Sequence, residues 1–168
     1  MIYFTADTHF NHINIIKYCK RPFNTVEEMN EVLVNNWNKV IKSEDVIYHL
    51  GDFGFGILSE LKPIYDKLNG HKRIILGSHD DESIMLKLFG YAKYFEGYRQ
   101  IKWHKELFVM CHYAMRKWPK SHYGSIHLFG HSHGKLENPE PNSMDVGVDC
   151  NNFKPISIEQ VIEMMKLK

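Results

Sequence analysis

Short apolar runs and amphipathic stretches alternate along the first half of the chain. The apolar, β-prone runs predict strands over residues 2–6, 45–50 and 73–76. Apolar residues at helical spacing predict helices over residues 26–41, 59–68 and 82–89. Thr25 and Glu28 stand at the spacing of a capping box, which favours a helix start at Val26. The order βαβαβα is typical of an α/β fold.

The second half is richer in strands. Its apolar runs predict strands over residues 98–103, 107–111, 126–129 and 146–149, with a turn at residues 104–106. Ser157 and Gln160 form a second capping box, which predicts a terminal helix over residues 157–167. No internal repeat or low-complexity segment divides the chain, so the 168 residues are expected to form one domain, 1–168.

Composition narrows the classes of protein to consider. Charged residues make up 24% and hydrophobic residues 43% of the chain, which is typical of a globular protein. The net charge of +1 disfavours a protein that tracks long nucleic acids. Three cysteines without a CxxC motif indicate a reducing compartment. The first residues reach Asp7 too soon for a secretory segment, and no apolar run is long enough for a membrane span, so a cytoplasmic location is expected.

Histidine is unusually frequent, with 11 residues, and several histidines follow predicted strands together with carboxylates. The polar residues at strand ends are Asp7, His9, Asp52, Ser78, His79, Asp80, His112, His131 and His133. Sites in open α/β sheets form beyond the carboxyl ends of the strands, so these residues are expected to converge. Residues two apart on an extended segment face the same side, which would let Asp7 and His9 share one target, and His131 and His133 another. Glycines before Asp52, Ser78 and His131 would let the backbone turn sharply.

Imidazole and carboxylate groups without clustered thiolates suit Mn, Fe, Zn or Ni. The candidate ligands outnumber the four of a tetrahedral centre, and a carboxylate such as Asp52 can bridge two ions about 3.5–4 Å apart. Such a pair of ions activates water against phosphorus. The sequence thus predicts a dinuclear metal centre.

The same series resembles the calcineurin-like metallophosphoesterases, specifically their small bacterial and phage-type members. The matching motifs, in the family order, are Asp7-x-His9, Gly51-Asp52, Gly77-Ser78-His79-Asp80, His112 and Gly130-His131-Ser132-His133. They extend over about residues 1–155. The resemblance implies a single-domain α/β fold, a four-layer αββα sandwich with two metal ions at the strand ends.

The resemblance also implies roles for the residues. Asp7, His9, Asp52 and His133 would hold the first ion, with Asp52 bridging. Ser78, His112 and His131 would hold the second ion. His79 would face the phosphate and stabilise the transition state or protonate the leaving oxygen, and Asp80 would orient its ring.

Ser78 departs from the family pattern. The motif is Gly-Asn-His-Asp, and its asparagine supplies a carbonyl oxygen to the second ion, whereas serine offers a shorter and weaker ligand. Reduced occupancy of the second site, or a water filling the gap, and lowered turnover are expected.

The resulting prediction is a hydrolase: a dinuclear, metal-dependent phosphodiesterase or phosphatase, with Mn²⁺ as the first choice of ion. It would act by direct attack of a dimetal-bridging hydroxide on a small or nucleotide-like phosphoester. Arg116, Arg21 and His12 are the candidates for holding the rest of the substrate. The oligomeric state is left open. The alternative is a catalytically weak module that binds metal and a phosphorylated ligand.

Two other enzyme classes fit less well. Residues 130–134 match the G-x-S-x-G nucleophile elbow around Ser132, but no histidine follows His133 to complete a triad. His127 and His131 are four residues apart but lack the glutamate of H-E-x-x-H. A structural role is expected for the remaining histidines, which are His49, His71, His104, His122 and His127.

Overall fold

Two β-sheets organise the protein in the computed structural model, which describes residues 1–95 and 97–166. The strands are β1 (Ile2–Thr5), β2 (Val46–His49), β3 (His71–Ile75), β4 (Tyr94–Phe95), β5 (Tyr98–Trp103), β6 (Glu106–Cys111), β7 (Ile126–Phe129), β8 (Ser143–Asp145) and β9 (Ile156–Ser157). The α-helices are α1 (Ile13–Tyr18), α2 (Val26–Val40), α3 (Leu58–Lys67), α4 (Glu82–Phe89) and α5 (Ile158–Lys166). The fold is therefore mixed α/β, as the sequence predicts.

The parallel strands set the position of every candidate ligand. The first sheet has the order β4-β3-β2-β1-β9, with β1 to β4 parallel and β9 antiparallel. The second sheet has the order β5-β6-β7-β8, with β6 to β8 parallel and β5 antiparallel. The backbone bridge between Ala6 and Gly147 joins the segments that follow β1 and β8. The carboxyl ends of β1 and β8 therefore meet, which brings the two sets of strand ends together.

Apolar side chains fill the space on both faces of the first sheet. Between the sheets, Phe4 of β1 packs its ring 5.9 Å from that of Phe108 on β6. On the opposite face, Trp37 of α2 lies in one cluster with Ile47 and Ile74. The continuous apolar runs of β1 and β2 follow from this burial on two faces.

The predicted helices form with nearly the expected limits. In α2, the Thr25 side chain accepts a hydrogen bond from the backbone N–H of Glu28, as the capping box predicts. In α5, Ser157 Oγ accepts from Gln160 N while Gln160 Oε1 accepts from Ser157 N. The predicted end of this helix at residue 167 lies outside the described residues. No helix in the described part of the chain combines the length and apolar composition needed to cross a membrane.

The strand predicted over residues 146–149 is wrong. The strand lies earlier, at Ser143–Asp145, and Val148–Cys150 forms a 3-10 helix. Asp145 Oδ1 accepts a hydrogen bond from Gly147 N at 2.8 Å, which turns the chain and ends the strand. The pattern also gave no sign of α1, β4 and β9, since six-residue and two-residue elements carry too little periodicity.

The outer face of the second sheet is covered by the segment of residues 113–125. Trp118 lies with its ring 5.1 Å from that of His127, and Met115 N donates to His127 Nε2. Within this segment only a 3-10 helix, Ser121–Tyr123, forms, between the left-handed residues Lys120 and Gly124. The described α-helices all pack in the two apolar clusters around the first sheet. A short irregular segment thus stands where the resemblance implies a second helical layer.

Candidate metal centre

The candidate ligands follow the carboxyl ends of the parallel strands, and the backbone of five of them is left-handed. The residues with left-handed backbone are Asp7 (φ 57°), His9 (φ 49°), Asp52 (φ 57°), His131 (φ 65°) and His133 (φ 48°). This conformation is uncommon outside glycine and clusters at functional sites. Backbone hydrogen bonds hold it in place, from Asp7 N to Gly51 O and from His9 N to Asp52 O, both 3.0 Å.

One group of side chains, which we call the first cluster, consists of Asp7, His9 and His133. One ligand atom from each lies within 4.8 Å of the others. Asp7 and His9 are buried, and neither ring nitrogen of His9 has a hydrogen-bond partner. Because buried polar atoms are nearly always paired, an imidazole with both nitrogens unpaired indicates a missing ligand.

A second group, the second cluster, consists of Asp52, His112 and His131, again with one ligand atom each within 4.8 Å. His112 Nδ1 donates to the carbonyl of Leu50 at 2.8 Å, which leaves Nε2 as the unprotonated nitrogen of the neutral ring. This Nε2 is buried and has no hydrogen-bond partner. It is thus oriented as a metal-binding imidazole is, with the other nitrogen bound to the backbone.

Asp52 lies between the two clusters. Its Oδ2 is 3.6 Å from His9 Nε2 and 3.4 Å from His112 Nε2. Its Oδ1 accepts a hydrogen bond from the backbone N–H of His79 at 2.9 Å. A single carboxylate oxygen therefore faces one unpaired imidazole nitrogen from each cluster.

The structure also shows how the two pairs of ligands that are two residues apart are divided between the clusters. Asp7 and His9 share the first cluster, as predicted. His131 and His133 were expected to share one target if their segment stayed extended, but both are left-handed and they lie in different clusters. His131 lies in the second cluster and His133 in the first, which is the division that the family resemblance implies.

The glycines beside these residues act in two ways. Gly51 has φ +93° and provides the predicted sharp turn. Gly77 and Gly130 instead allow close approach of other chain segments. A Cβ atom at Gly77 would overlap the Asp52 side chain, and one at Gly130 would lie 2.6 Å from Ala6 Cβ and 2.8 Å from Asp7 Oδ2. These two positions therefore require glycine for space.

Burial and charge shift the ionisation of the cluster residues in opposite directions. Burial raises the pKa of Asp7 to about 7, against the opposing charges of His133 and His112. Burial also acts to raise the pKa of Asp52, but the charge of His112 and the hydrogen bond from the backbone N–H of His79 hold it below its usual range. Burial lowers the pKa of His9, which keeps its imidazole neutral. Neutral imidazoles and carboxylates are the forms that bind metal ions.

Asp149 is a site residue that the sequence analysis missed. Its Oδ2 accepts a hydrogen bond from His133 Nδ1 at 2.7 Å. Burial acts to lower the pKa of His133, but this bond to Asp149 raises it to about 10. Cys19 lies beside the same pair: one ligand atom each from Cys19, His133 and Asp149 lie within 4.8 Å of one another. A single Asp at the end of the strand predicted over residues 146–149, outside the quoted motifs, gave no signal of this role.

Arg21, predicted to hold the substrate, lies inside the protein rather than at its surface. Its guanidinium is buried and donates to both carboxylate oxygens of Asp149, at 2.9 and 2.8 Å. It also donates to the carbonyls of Asp7 and Thr8 and contacts the sulfur of Met29. All five N–H donors of an arginine are thus in use. Arg21 fixes the segment that carries Asp7 and His9 and holds Asp149 against His133.

Asp80, predicted to orient the ring of His79, contacts backbone groups instead. Its carboxylate accepts hydrogen bonds from the backbone N–H groups of Asp52, Phe53 and Gly77, at 2.8, 2.8 and 2.9 Å. It forms none with the ring of His79 among the described residues. Asp80 therefore holds the loops after β2 and β3 together and so positions Asp52.

The other predicted site residues lie around the clusters. Ser78 and His79 are exposed, with Ser78 Oγ 3.5 Å from Asp52 Oδ2 and the His79 ring 5.7 Å from that of His9. The ring of His12 is half-buried, 5.3 Å from that of His9. Arg116 is exposed on the segment that follows His112.

The structural role expected of the other histidines holds for the two buried ones. His49 Nε2 donates to Thr8 Oγ1, which in turn donates to the carbonyl of Phe53. His127 Nδ1 donates to the carbonyl of Val109. Among the described residues, Ser132 Oγ forms no hydrogen bond with a histidine, so the geometry of a serine nucleophile and its base is not seen there.

Comparison with known proteins places the chain among uncharacterized relatives. No family model matches it. The uncharacterized protein MJ1445 of Methanocaldococcus jannaschii is 36% identical over 176 residues, covering 98% of this chain and 91% of the relative. The crystal structure of AQ665 from Aquifex aeolicus, a protein of unknown function, superposes with a TM-score of 0.80 and 27% identity over 98% of both chains.

A weaker likeness concerns YfcE, a phosphoesterase from E. coli, with a TM-score of 0.45 and 14% identity over 87% of this chain and 77% of that chain. Similarity at this level supports no inference about function. The likeness to MJ1445 extends over nearly the full length of both chains, and the fold is shared with AQ665. The chain therefore belongs to the same protein family as MJ1445.

Proposed function

We propose that this protein is a metal-dependent phosphoesterase that uses two divalent ions held by the first and second clusters. Asp7, His9 and His133 would hold one ion, His112 and His131 the other, and Asp52 both. The fold would be a variant of the αββα sandwich of the metallophosphoesterases, with the segment of residues 113–125 as its fourth layer.

One observation carries this proposal. Asp52 Oδ2 faces the unpaired Nε2 atoms of His9 and His112 at 3.6 and 3.4 Å. Two imidazole nitrogens and a carboxylate oxygen that are buried together without hydrogen bonds between them are costly unless cations lie among them. A carboxylate shared by two donor groups is the arrangement of a two-metal site.

The donor set agrees with the choice of ion. Both clusters offer only imidazole and carboxylate groups, which suit Mn, Zn, Fe or Ni, and Mn²⁺ is our first choice. Bound divalent ions would lower the pKa of water and neutralise charge on the phosphoryl oxygens.

The chain's own residues supply positioning and proton transfer. The backbone N–H of His79 holds Oδ1 of Asp52, and Asp80 holds the backbone N–H of Asp52. His79 is exposed at the edge of the site, where its imidazole can reach a bound phosphoester. It would stabilise charge in the transition state or donate a proton to the leaving oxygen. Asp149 and Arg21 orient His133.

Ser78 would limit the second cluster. Its hydroxyl lies 3.5 Å from Asp52 Oδ2, and serine carries no carbonyl oxygen to offer an ion. We therefore expect weaker binding at the second cluster than at the first, and slow turnover.

The substrate would be a small phosphorylated compound, and the enzyme would act in the cytoplasm as a single domain. The net charge of +1 gives no field for long nucleic acids. The alternative is a binding module that holds metal and a phosphorylated ligand without turnover, since Ser78 weakens the second cluster.

The test is hydrolysis of bis(4-nitrophenyl) phosphate beside 4-nitrophenyl phosphate, on chelated protein before and after addition of Mn²⁺. Metal-dependent turnover that disappears in Asp52→Asn is the expected result, and the ratio of rates identifies the ester class. Asp66→Asn is a matched control, since Asp66 is an exposed carboxylate paired with Lys62 on α3. Turnover that survives chelation, or survives Asp52→Asn, would contradict the proposal. If Ser78→Asn also shows no turnover, the binding module is the better account.

A further inference from the structure

Exposed aromatic rings lie beside the first cluster. Tyr18 is 65% exposed and Phe55 is 42% exposed. His12 lies between them, with its ring 4.4 Å from that of Phe55 at an interplanar angle of 15°, and 6.3 Å from that of Tyr18. We call the surface formed by Tyr18, His12 and Phe55 the aromatic shelf.

The shelf borders the metal centre on two sides. The ring of His12 is 5.3 Å from that of His9 in the first cluster. The ring of Phe55 is 5.9 Å from that of His79, the residue proposed to face the phosphate. A group joined to a bound phosphate on this side therefore meets the aromatic shelf.

The loop after β2 holds Phe55 outward. Phe55 N donates to the carbonyl of Phe10 at 2.7 Å, and Gly54 pairs with Phe10 in a β-bridge. A Cβ atom at Gly54 would lie 2.7 Å from Leu61 Cδ2, so the backbone is packed tightly there. Phe53, two residues earlier, is fully buried. An exposed phenyl ring forgoes the stabilisation of burial, and a fixed loop that keeps it exposed favours a role in binding.

We propose that the aromatic shelf stacks against a nucleobase, so that the substrate is a phosphoester of a nucleoside. This inference rests on the proposed phosphoesterase function. Planar aromatic side chains bind bases through their π-faces with little sequence preference. The two clusters bind the phosphate, and the shelf binds the base of the same molecule. The shelf thereby selects nucleotides over phosphoesters of aliphatic alcohols.

The test compares two esters with the same leaving group. One is thymidine 5′-(4-nitrophenyl) phosphate, and the other is its analogue without the base, 1,2-dideoxyribose 5′-(4-nitrophenyl) phosphate. With Mn²⁺ present, we expect the wild-type kcat/KM to be about fivefold or more higher for the thymidine ester, the lower limit for stacking of one base. Phe55→Leu and Tyr18→Leu keep apolar bulk but remove the π-face, and each is expected to bring this ratio towards one.

Tyr123→Leu is the matched control. Tyr123 is 80% exposed and lies beside Lys102 and Lys105, at the turn between β5 and β6, which is the opposite end of β6 from His112. Its ratio should equal that of the wild type. An equal rate for both esters in the wild type, or an unchanged ratio in Phe55→Leu, would overturn the proposal.

Two further outcomes are informative. Tyr113 is 49% exposed, with its ring 4.7 Å from that of His131, on the side of the second cluster. A ratio that falls in Tyr113→Leu and not in Phe55→Leu would place the base there and reject the shelf. If neither ester is hydrolysed by the wild type or by Ser78→Asn, the proposed function fails, and calorimetry with Mn²⁺-loaded protein tests the shelf. Tighter binding of thymidine 5′-phosphate than of deoxyribose 5-phosphate, lost in Phe55→Leu, would support it, and equal binding would reject it.

Discussion

The carboxylate of Asp149 accepts the Nδ1 hydrogen of His133 at 2.7 Å while both of its oxygens accept from Arg21. Two side chains from separate parts of the chain, Asp149 and Arg21, thus fix the tautomer of one imidazole. Nδ1 carries the hydrogen, which leaves Nε2 free to bind an ion in the neutral ring. The same arginine holds the carbonyls of Asp7 and Thr8, so one buried guanidinium positions both halves of the first cluster.

Replacement of Asp149 by asparagine should weaken the first cluster. The amide keeps an oxygen but loses the charge that orients His133 and pairs with Arg21. Loss of such an outer carboxylate typically costs 10–100-fold in metal affinity, and we expect a decrease of about this size for Mn²⁺. Isothermal titration calorimetry on chelated protein measures it.

The control for this variant is Asp66→Asn, which removes a carboxylate that is more than half exposed to solvent. It should bind Mn²⁺ as the wild type does. Equal affinity in Asp149→Asn and the wild type would show that the contact to His133 is structural only.

Asp52→Asn should affect both ions at once. The bridging position of Oδ2 means that each cluster loses a charged ligand, so the increase in Tm that Mn²⁺ gives the wild type should largely disappear. His131→Gln is the informative comparison, because His131 belongs to the second cluster alone. It should keep binding of one ion. Two ions in Asp52→Asn by metal analysis would refute the bridging role.

Ser78→Asn should tighten the second ion. The Ser78 hydroxyl is 3.5 Å from Asp52 Oδ2, so asparagine at this position brings a carbonyl oxygen to the second cluster, where it can bind the ion. We expect affinity for the second ion to rise about tenfold, equivalent to about 1.4 kcal/mol, and turnover to rise with it. Two equally tight ions in the wild type, unchanged by Ser78→Asn, would contradict this expectation.

The sequence predicted the strands and helices that carry the site because these elements have clear periodicity. It placed Asp7, Asp52 and His112 at strand ends, and parallel strands bring such ends together. It failed where the structure depends on local backbone geometry or on single distant contacts. Spacing alone could not show that His131 and His133 lie in different clusters, since Asp7 and His9 have the same spacing and left-handed backbone and share one cluster.

Arg21 and Asp149 illustrate the second kind of failure. They are 128 residues apart, and nothing in the sequence near either one indicates the other. An arginine in a loop is usually exposed, so a surface role was the natural expectation. Asp80 shows the same limit, since its three backbone donors belong to loops that only the folded sheet brings together.

The buried His127 should make stability depend on pH independently of the metal centre. Its Nδ1 donates to Val109 O and its Nε2 accepts from Met115 N, which requires the neutral ring. Burial lowers its pKa in the folded protein. Below about pH 6.5 the unfolded chain takes up a proton that the folded chain does not, so the free energy of unfolding falls as the pH decreases from there. Above that pH the contribution is fully present.

His127→Gln removes this titration while it keeps an acceptor for Met115 N. The variant should be less stable than the wild type at pH 8, and the difference between them should shrink as the pH falls from 6.5 towards 5. Urea unfolding of the metal-free proteins at each pH measures the difference in free energy of unfolding. The other histidines contribute equally to both proteins, so their titration cancels in this difference. His71→Gln, at an exposed position at the start of β3, should show no such trend. A constant difference between wild type and His127→Gln across this range would mean that His127 does not titrate with unfolding.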